Sequence, residues 1–131
     1  MIVLFRVYDE DEKKWVEDNI YLTPNGDLVM IKKVMGFAKI PIVLDQGRYI
    51  YHKMINLQDV DNTEVFEGDY LLARVDDEKE VVGLVTFAEE LSSYIILDVN
   101  DNQYYPLGSD IKEFIRVIGN VFDGCEDKNY S

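Results

Sequence analysis

Short apolar runs, each ended by a cluster of turn-forming residues, follow one another along this sequence. The runs are rich in Val, Ile, Tyr and Phe, which are typical of strands, and Gly, Pro, Asn and Asp separate them. Few segments keep a helical period over three turns, so helices are not expected to dominate. The pattern predicts a mainly β fold: either a small twisted β-barrel of the SH3-like kind or two packed antiparallel sheets, with at most one or two short helices.

The N-terminal part contains the strongest hairpin signal. An Asn-Gly pair lies between residues 20–22 and 28–31, and both of its residues tolerate positive φ. The apolar run 40–44 contains a proline, which has no N–H and therefore places the run at a sheet edge or at the start of a strand. Residues 2–8 and 48–52 are also predicted to be strands.

The C-terminal part repeats this organisation. The predicted strands are residues 70–75, 81–87, 94–99, 103–107 and 114–121. Residues 87–91 indicate a turn or one helical turn, and the spacing of Asp110 and Glu113 resembles a capping box. Gly119 and Asn120 indicate a bulge in the last strand.

The length of 131 residues is typical of one domain. Within that domain, residues 1–53 are a candidate N-terminal β-subdomain, and residues 54–123 are a candidate barrel-like part. Residues 124–131 are expected to form a frayed tail.

Acidic residues outnumber basic ones by 26 to 13, which gives a net charge of −13. This balance disfavours a phosphate backbone or an anionic membrane as partner. The charge is unevenly distributed, because residues 28–53 contain five basic side chains and one acidic side chain, whereas residues 54–131 contain five and eighteen. The second half is therefore where an acidic surface is expected.

The acids of the second half concentrate at predicted turns. Such acids are most often ordinary solvated surface, and the functional alternative is a face that binds a protein with a basic surface. The candidate partner-binding residues are Asp76, Asp77, Glu78, Glu80, Glu89 and Glu90. A homo-oligomer is a further option, since an edge strand at residues 40–44 could pair between subunits.

Nucleic-acid binding is the alternative function, through the locally basic centre and two tyrosines suited to stacking on bases. Its candidate residues are Lys32, Lys33, Lys39, Arg48, Tyr49, Tyr51 and Lys53. The surrounding carboxylates oppose this function, so a nucleic acid is the less favoured partner.

Signals for catalysis are weak. The acidic turns at residues 59–64 and 98–103 lack the glycine and the final glutamate of a calcium-binding loop, and they are better interpreted as Asx turns. His52 has no serine in a nucleophile elbow, so it is expected to be structural. We predict no catalytic residue, cofactor or metal, and a carboxylate- or metal-dependent hydrolase is the second alternative.

The compartment is predicted to be the cytoplasm. Arg6 introduces charge early, which argues against a signal peptide, and the apolar runs are far shorter than the ~20 residues that span a bilayer. A single cysteine excludes a disulfide within the chain.

Three segments in order resemble the YopX family of bacteriophage and prophage proteins. They are Phe5-Arg6-Val7-Tyr8-Asp9 with Trp15 soon after, then Leu57-Gln58-Asp59 through Phe66-Glu67-Gly68-Asp69, and finally Val117-Ile118-Gly119-Asn120-Val121-Phe122-Asp123. The resemblance implies a phage-borne or prophage-borne accessory protein of uncharacterised function, and it brings no catalytic residues with it. It also implies that the cytoplasm is that of a bacterial host and that the protein partner with a basic surface is a host or phage protein.

The sequence departs from the family pattern in the central segment. Asn62 or Thr63 stands where the family has glycine after the aspartate turn, and asparagine also accepts positive φ, so the turn is expected to survive. Gly68 is expected to adopt an unusual φ in a tight turn that leads into the next strand.

Overall fold

The computed structural model describes residues 5–17, 19–108 and 113–125. These residues form thirteen strands and short 3-10 segments at residues 89–91 and 113–114, and every strand pair with a resolved register is antiparallel. One sheet curls into half a barrel. The mainly β prediction is confirmed.

The chain forms two compact units, and the division falls between His52 and Lys53. The strands that begin in the N-terminal unit are β1 (Phe5–Asp9), β2 (Lys14–Trp15), β3 (Ile20–Leu22), β4 (Leu28–Val34), β5 (Ala38–Val43) and β6 (Tyr49–Gln58). Strand β6 continues across the division into the C-terminal unit.

The remaining strands belong to the C-terminal unit. They are β7 (Glu64–Phe66), β8 (Asp69–Arg74), β9 (Glu80–Ala88), β10 (Ser93–Asp98), β11 (Tyr104–Pro106), β12 (Ile115–Asn120) and β13 (Gly124–Cys125). A 3-10 turn, Glu89–Leu91, joins β9 to β10.

Three sheets result from these pairings. Their strand orders are β3-β4-β5, β2-β1-β6-β7 and β11-β10-β9-β8-β12-β13. Strand β5 is an edge strand, as its proline predicts, and the register shifts between Val117 and Gly119 in β12, where a bulge was predicted.

Each unit has its own apolar core. In the N-terminal unit, Val7, Leu28 and Leu44 are buried, and one face of the β3-β4-β5 sheet packs against them through residues such as Met30 and Ile42. The C-terminal core contains Val65, Leu71, Ala73, Val81, Val85, Ile96 and Ile115. Alternate residues of β8 and β9 supply most of this second core, as the two-residue period of a strand requires.

The Asn-Gly hairpin is confirmed in β3 and β4, although only Gly26 of the pair has positive φ, at 88°. The side chain and backbone of Thr23 close the turn instead, through bonds with Asp27 and Gly26. The predicted capping box and most of the predicted tail fall on residues 109–112 and 126–131, which lie outside the described residues. Gly124–Cys125, at the start of that tail, form β13.

No helix among the described residues is long and apolar enough to cross a membrane.

Candidate functional site

The first motif, which includes Asp9, organises the N-terminal unit. Asp9 is 4% exposed and accepts two hydrogen bonds from Arg48, from Nε to Oδ1 and from Nη2 to Oδ2, each at 2.9 Å. Its Oδ1 also accepts the backbone N–H groups of Asp11 and Glu12. The carboxylate therefore joins the β1–β2 turn to the residue that precedes β6.

The contact with Arg48 strongly favours the charged form of Asp9. The hydrogen bonds from Arg48 lower the pKa of Asp9 from 3.8 to about 2, assisted by the two backbone donors and opposed by burial. The same contact raises the pKa of Arg48. Both groups are committed to each other, so neither is arranged to exchange a proton near neutral pH.

A cleft of about 690 Å³ adjoins the Asp9–Arg48 pair within the N-terminal unit. Trp15, Tyr49 and Met30 contribute to its walls. The guanidinium of Arg48 lies 5.0 Å from the centre of the Tyr49 ring, and that of Arg6 lies 4.5 Å from the Trp15 ring. Cations of the chain itself thus contact both aromatic rings.

The second motif is a connection between a loop and a distant strand. Asp59 is 1% exposed, and its Oδ1 accepts the N–H groups of Asp61 and Thr63 at 2.9 and 2.8 Å. Its Oδ2 accepts the N–H of Val117 in β12 at 2.9 Å. Asn62 has a φ of 64°, so the turn survives without glycine as expected.

The Phe66–Asp69 segment forms a tight turn between β7 and β8. Asp69 accepts the N–H of Phe66 at 2.8 Å, and Gly68 has a φ of 81°, which confirms the predicted role of this glycine. Glu67 accepts hydrogen bonds from the Lys53 backbone and the Tyr94 hydroxyl. Burial and the Glu67 charge raise the pKa of Tyr94 to about 12.

The third motif caps the end of β12. Asn120 Oδ1 accepts the N–H groups of Phe122 and Asp123, and its Nδ2 donates to the Asp123 carboxylate at 2.9 Å. All three motifs therefore use short polar side chains to satisfy backbone groups at turns. Their chemistry is that of a scaffold.

Titratable groups outside the motifs show no catalytic arrangement in the described part of the chain. Across those residues, no group of three or more His, Cys, Asp or Glu side chains could hold a metal ion. His52 Nδ1 lies 3.4 Å from Arg6 Nη2, and its ring lies 6.2 Å from that of Trp15, a contact consistent with the expected structural role.

The six predicted partner-binding acids lie at both ends of one strand. Asp76, Asp77, Glu78 and Glu80 form or adjoin the β8–β9 turn, whereas Glu89 and Glu90 follow the other end of β9 in the 3-10 turn. At ~3.3 Å per residue, β9 separates the two groups by about 30 Å. We call the first group, residues 76–80, the acidic turn.

A second turn lies beside the acidic turn. Lys79 Nζ is 3.1 Å from the Tyr105 hydroxyl and 4.0 Å from the Asp101 carboxylate, which places the β10–β11 connection next to it. Tyr104 and Val99 are exposed there, at 56% and 39%. This end of the C-terminal sheet therefore combines carboxylates with a small apolar surface.

The residues predicted to contact nucleic acid also lie in different environments. Arg48 is paired with Asp9, and Tyr49 and Tyr51 pack against the N-terminal core, half-buried. The lysines are exposed, with Lys32, Lys33 and Lys39 together on the β4–β5 hairpin and Lys53 in β6. The hairpin thus gathers three of the five predicted cations.

Sequence reasoning missed an exposed apolar face on the same hairpin. One face of the β3-β4-β5 sheet packs on the core, and the opposite face carries apolar side chains instead of polar ones. We call it the open sheet face; it consists of Tyr21, Val29, Ile31, Pro41 and Val43, with Lys33 and Lys39 at one end. Tyr21 is 55% exposed and Val43 is 66% exposed.

The tip of this hairpin has further exposed apolar side chains, beyond the Lys33–Lys39 pair. Met35 and Phe37 are each 83% exposed, and Met35 has a φ of 58°, a conformation that residues with side chains rarely adopt. The signal that could have revealed this surface is the unbroken apolar run at residues 28–31, because a strand with one solvated face normally alternates.

The geometry defines a class of protein: a small, mainly β scaffold whose signature residues close turns and whose unusual surface is an uncovered apolar sheet face. The model of the YopX protein family matches residues 4–126. The chain belongs to the YopX family, as the three motifs indicate.

Two solved structures share the fold. The YopX protein from Bacillus subtilis is 16% identical, with a TM-score of 0.62 over 97% of this chain and 96% of the other. Protein EF1440 from Enterococcus faecalis is 20% identical, with a TM-score of 0.54 over 93% and 94%. A comparison with curated proteins finds no match.

Proposed function

We propose that this chain is a phage or prophage accessory protein that works in the cytoplasm of its bacterial host by binding another protein, without catalysis. The phage origin rests on the family resemblance. The non-catalytic role is supported by the way buried Asp9, Asp59 and Asp69 are used, since each accepts backbone or arginine hydrogen bonds that hold a turn.

The observation that carries the proposal is the open sheet face. Contiguous exposed apolar surface is unfavourable in water and commonly marks a place where another macromolecule binds. Here it spans three strands, and Met35 and Phe37 at the hairpin tip are exposed as well. Protein interfaces combine apolar side chains with charged ones at their borders, and the Lys33–Lys39 pair lies between the open sheet face and the tip.

The acidic turn is the second part of the proposal. Its carboxylates would attract a protein partner with a basic surface and would orient that partner during encounter. Because β9 separates them from the acidic turn, Glu89 and Glu90 are assigned no part in the same contact. Variants of the acidic turn can therefore be compared with variants of Glu89 and Glu90 as a control.

The test is affinity capture of partners from a host lysate by three tagged variants. The face variant carries Ile31→Ser and Val43→Ser, and the turn variant carries Asp76→Ser, Asp77→Ser and Glu78→Ser. The control variant carries Glu89→Ser and Glu90→Ser. The proposal expects proteins retained by the wild type and the control to be lost from both the face and turn variants.

Circular dichroism melting of each variant excludes unfolding as the cause of a lost interaction. If all variants retain the wild-type set of proteins, the open sheet face and the acidic turn are solvated surface and the proposal is wrong. Loss from the control alone would move the contact to the other end of β9.

Nucleic-acid binding remains the second candidate, favoured by one observation. Lys32, Lys33 and Lys39 share a hairpin with an exposed aromatic ring, Phe37, and cations beside a stacking surface are what single strands require. Fluorescence anisotropy with single-stranded and duplex oligonucleotides at low salt tests it. Binding that disappears in a Lys33→Glu, Lys39→Glu variant would support this function, and no binding at low salt would exclude it.

A further inference from the structure

We propose that the basic protein partner is a second copy of this chain: the open sheet face and hairpin of one copy bind the acidic turn of the next. This inference rests on the proposed protein-binding function and names its partner. It is carried by the chemistry of the hairpin and by the complementary surface that the same chain provides.

The charge of the β4–β5 hairpin favours an anionic binding partner. Lys33 and Lys39 lie directly opposite each other in the β4–β5 register, an arrangement of like charges that disfavours strand pairing. Residues 28–44 include three lysines and no acidic residue. In the described part of the chain these lysines form no ion pair, so a carboxylate from outside would relieve their repulsion.

The acidic end of the C-terminal sheet has the matching composition. Four carboxylates of the acidic turn lie near Asp101, and two cations accompany them: Lys79, which is held by Asp101 and the Tyr105 hydroxyl, and Arg74, which lies opposite Glu80. The exposed Tyr104 ring and Val99 provide apolar surface beside these charges. Lysines flanked by Met35 and Phe37 would thus meet carboxylates flanked by Tyr104 and Val99.

The charges also decide the symmetry of the contact. If two open sheet faces met about a two-fold axis along the strands, the lysine pairs of both copies would come together and repel. About an axis across the strands the pairs would lie apart, but the open sheet face contains no carboxylate to neutralise them. A contact between two different surfaces avoids this repulsion. Such a heterologous contact leaves one binding surface unused on each end copy, so it continues until a ring closes or a filament grows.

The test uses charge reversal and mixing, with molar mass measured by light scattering during size exclusion over a range of concentrations. The wild type should assemble beyond a dimer at low salt and dissociate as salt rises. Variant A, Lys33→Glu with Lys39→Glu, and variant B, Asp77→Lys with Glu78→Lys, should each associate about 100-fold more weakly, because like charges then face each other. Variant B keeps Asp76, whose carboxylate accepts the Glu78 N–H and holds the turn.

Mixing the two variants should restore assembly, because the reversed hairpin of A then faces the reversed turn of B. A Glu89→Lys, Glu90→Lys variant has the same change in charge at the far end of β9 and should assemble like the wild type. Failure of A and B to associate when mixed, although both remain folded by circular dichroism, would overturn the inference.

A wild type that stays monomeric at every concentration would also overturn it. In that case host capture that depends on the open sheet face would leave the protein-binding function standing with a different partner. A monomer whose capture is unaffected by the face and turn variants would overturn both proposals, and oligonucleotide binding through the hairpin would assign the open sheet face to nucleic acid.

Discussion

Short acidic and amide side chains have two distinct roles in this protein. Asp9, Asp59, Asp69, Asp98 and Asn120 are buried, and each accepts at least one hydrogen bond from a backbone N–H or spans a turn. A buried backbone donor needs a partner, and a carboxylate supplies two acceptor oxygens on a short stem. Asp45, Asp76 and Asp101 also accept a backbone N–H, but these acids are exposed, so they can make contacts with other molecules as well.

Asp59 provides the sharpest test of the structural role. Asp59→Ala removes acceptors for three backbone N–H groups and should lower the free energy of unfolding by about 3 kcal/mol. Urea denaturation measures the change. Asp61→Ala, in the same turn but exposed, is the matched control and should stay within about 0.5 kcal/mol of the wild type. A loss below about 1 kcal/mol for Asp59→Ala would contradict the role given to this motif.

Asp9 predicts a pH dependence of stability. Its pKa is lowered in the folded state, so the pair with Arg48 stabilises the protein above the usual pKa of 3.8 and loses that effect as the pH falls toward about 2. Urea unfolding between pH 2 and 6 gives the free energy of unfolding at each pH. Between pH 2 and 4 this free energy should change less with pH in Asp9→Asn than in the wild type. An identical pH dependence in both proteins would mean that the Asp9–Arg48 pair contributes nothing to the pH dependence of stability.

The turns formed by aspartate and asparagine were predictable from the sequence, but the burial of these side chains was not. The sequence identified the Asx turns at residues 59–64 and 98–103, because aspartate and asparagine favour such turns wherever they occur. That Asp59 also receives a bond from Val117 depends on a strand 58 positions later in the chain. Composition and local spacing carry no information about such a partner.

At the scale of elements, the central strand β9 combines tight packing with a role as a spacer. Gly83 of β9 is buried between β8 and β10, opposite Leu71 and Asp98. A Cβ atom at Gly83 would overlap the Ile96 side chain of β10. The same strand separates the two acidic groups, so its length determines which carboxylates can act together.

Gly83→Ala should destabilise the protein by about 2 kcal/mol, because the added methyl group forces Ile96 or the β10 backbone to move. Thermal and urea unfolding measure the effect. Gly47→Ala is a suitable control, since its Cβ would meet only the Asp45 side chain at 3.2 Å or more and should change stability by less than about 0.5 kcal/mol. Equal stability of both variants would contradict the close packing of β9 on β10.

Most strand boundaries followed from the turn signals, although β6 continues to Gln58, well beyond the predicted strand at residues 48–52. The surfaces of the elements did not follow from the sequence. The strands β3, β4, β8, β9 and β10 lie within a residue or two of their predicted positions, apart from the longer C-terminal end of β4. The open sheet face depends on which residues pair across β3, β4 and β5, and pairing register is a long-range property. For the same reason the predicted basic set included tyrosines that pack on the core.

At the scale of the whole molecule, the net charge of −13 conceals a local reversal. All charged side chains in residues 28–44 are lysines, and this segment forms the hairpin that exposes Met35 and Phe37. A protein with strong excess charge and one small region of opposite sign has a built-in complementarity between copies. This complementarity connects the acidic turn, the lysine pair and the open sheet face in one account.

Amide hydrogen exchange of the wild-type chain at low and high protein concentration tests that account most directly. We expect higher concentration to slow exchange in residues 29–43 and in the acidic turn, because docking between copies removes both from water. Exchange in the 3-10 turn Glu89–Leu91 should stay the same. Exchange that is independent of concentration at the hairpin and the acidic turn would contradict the account.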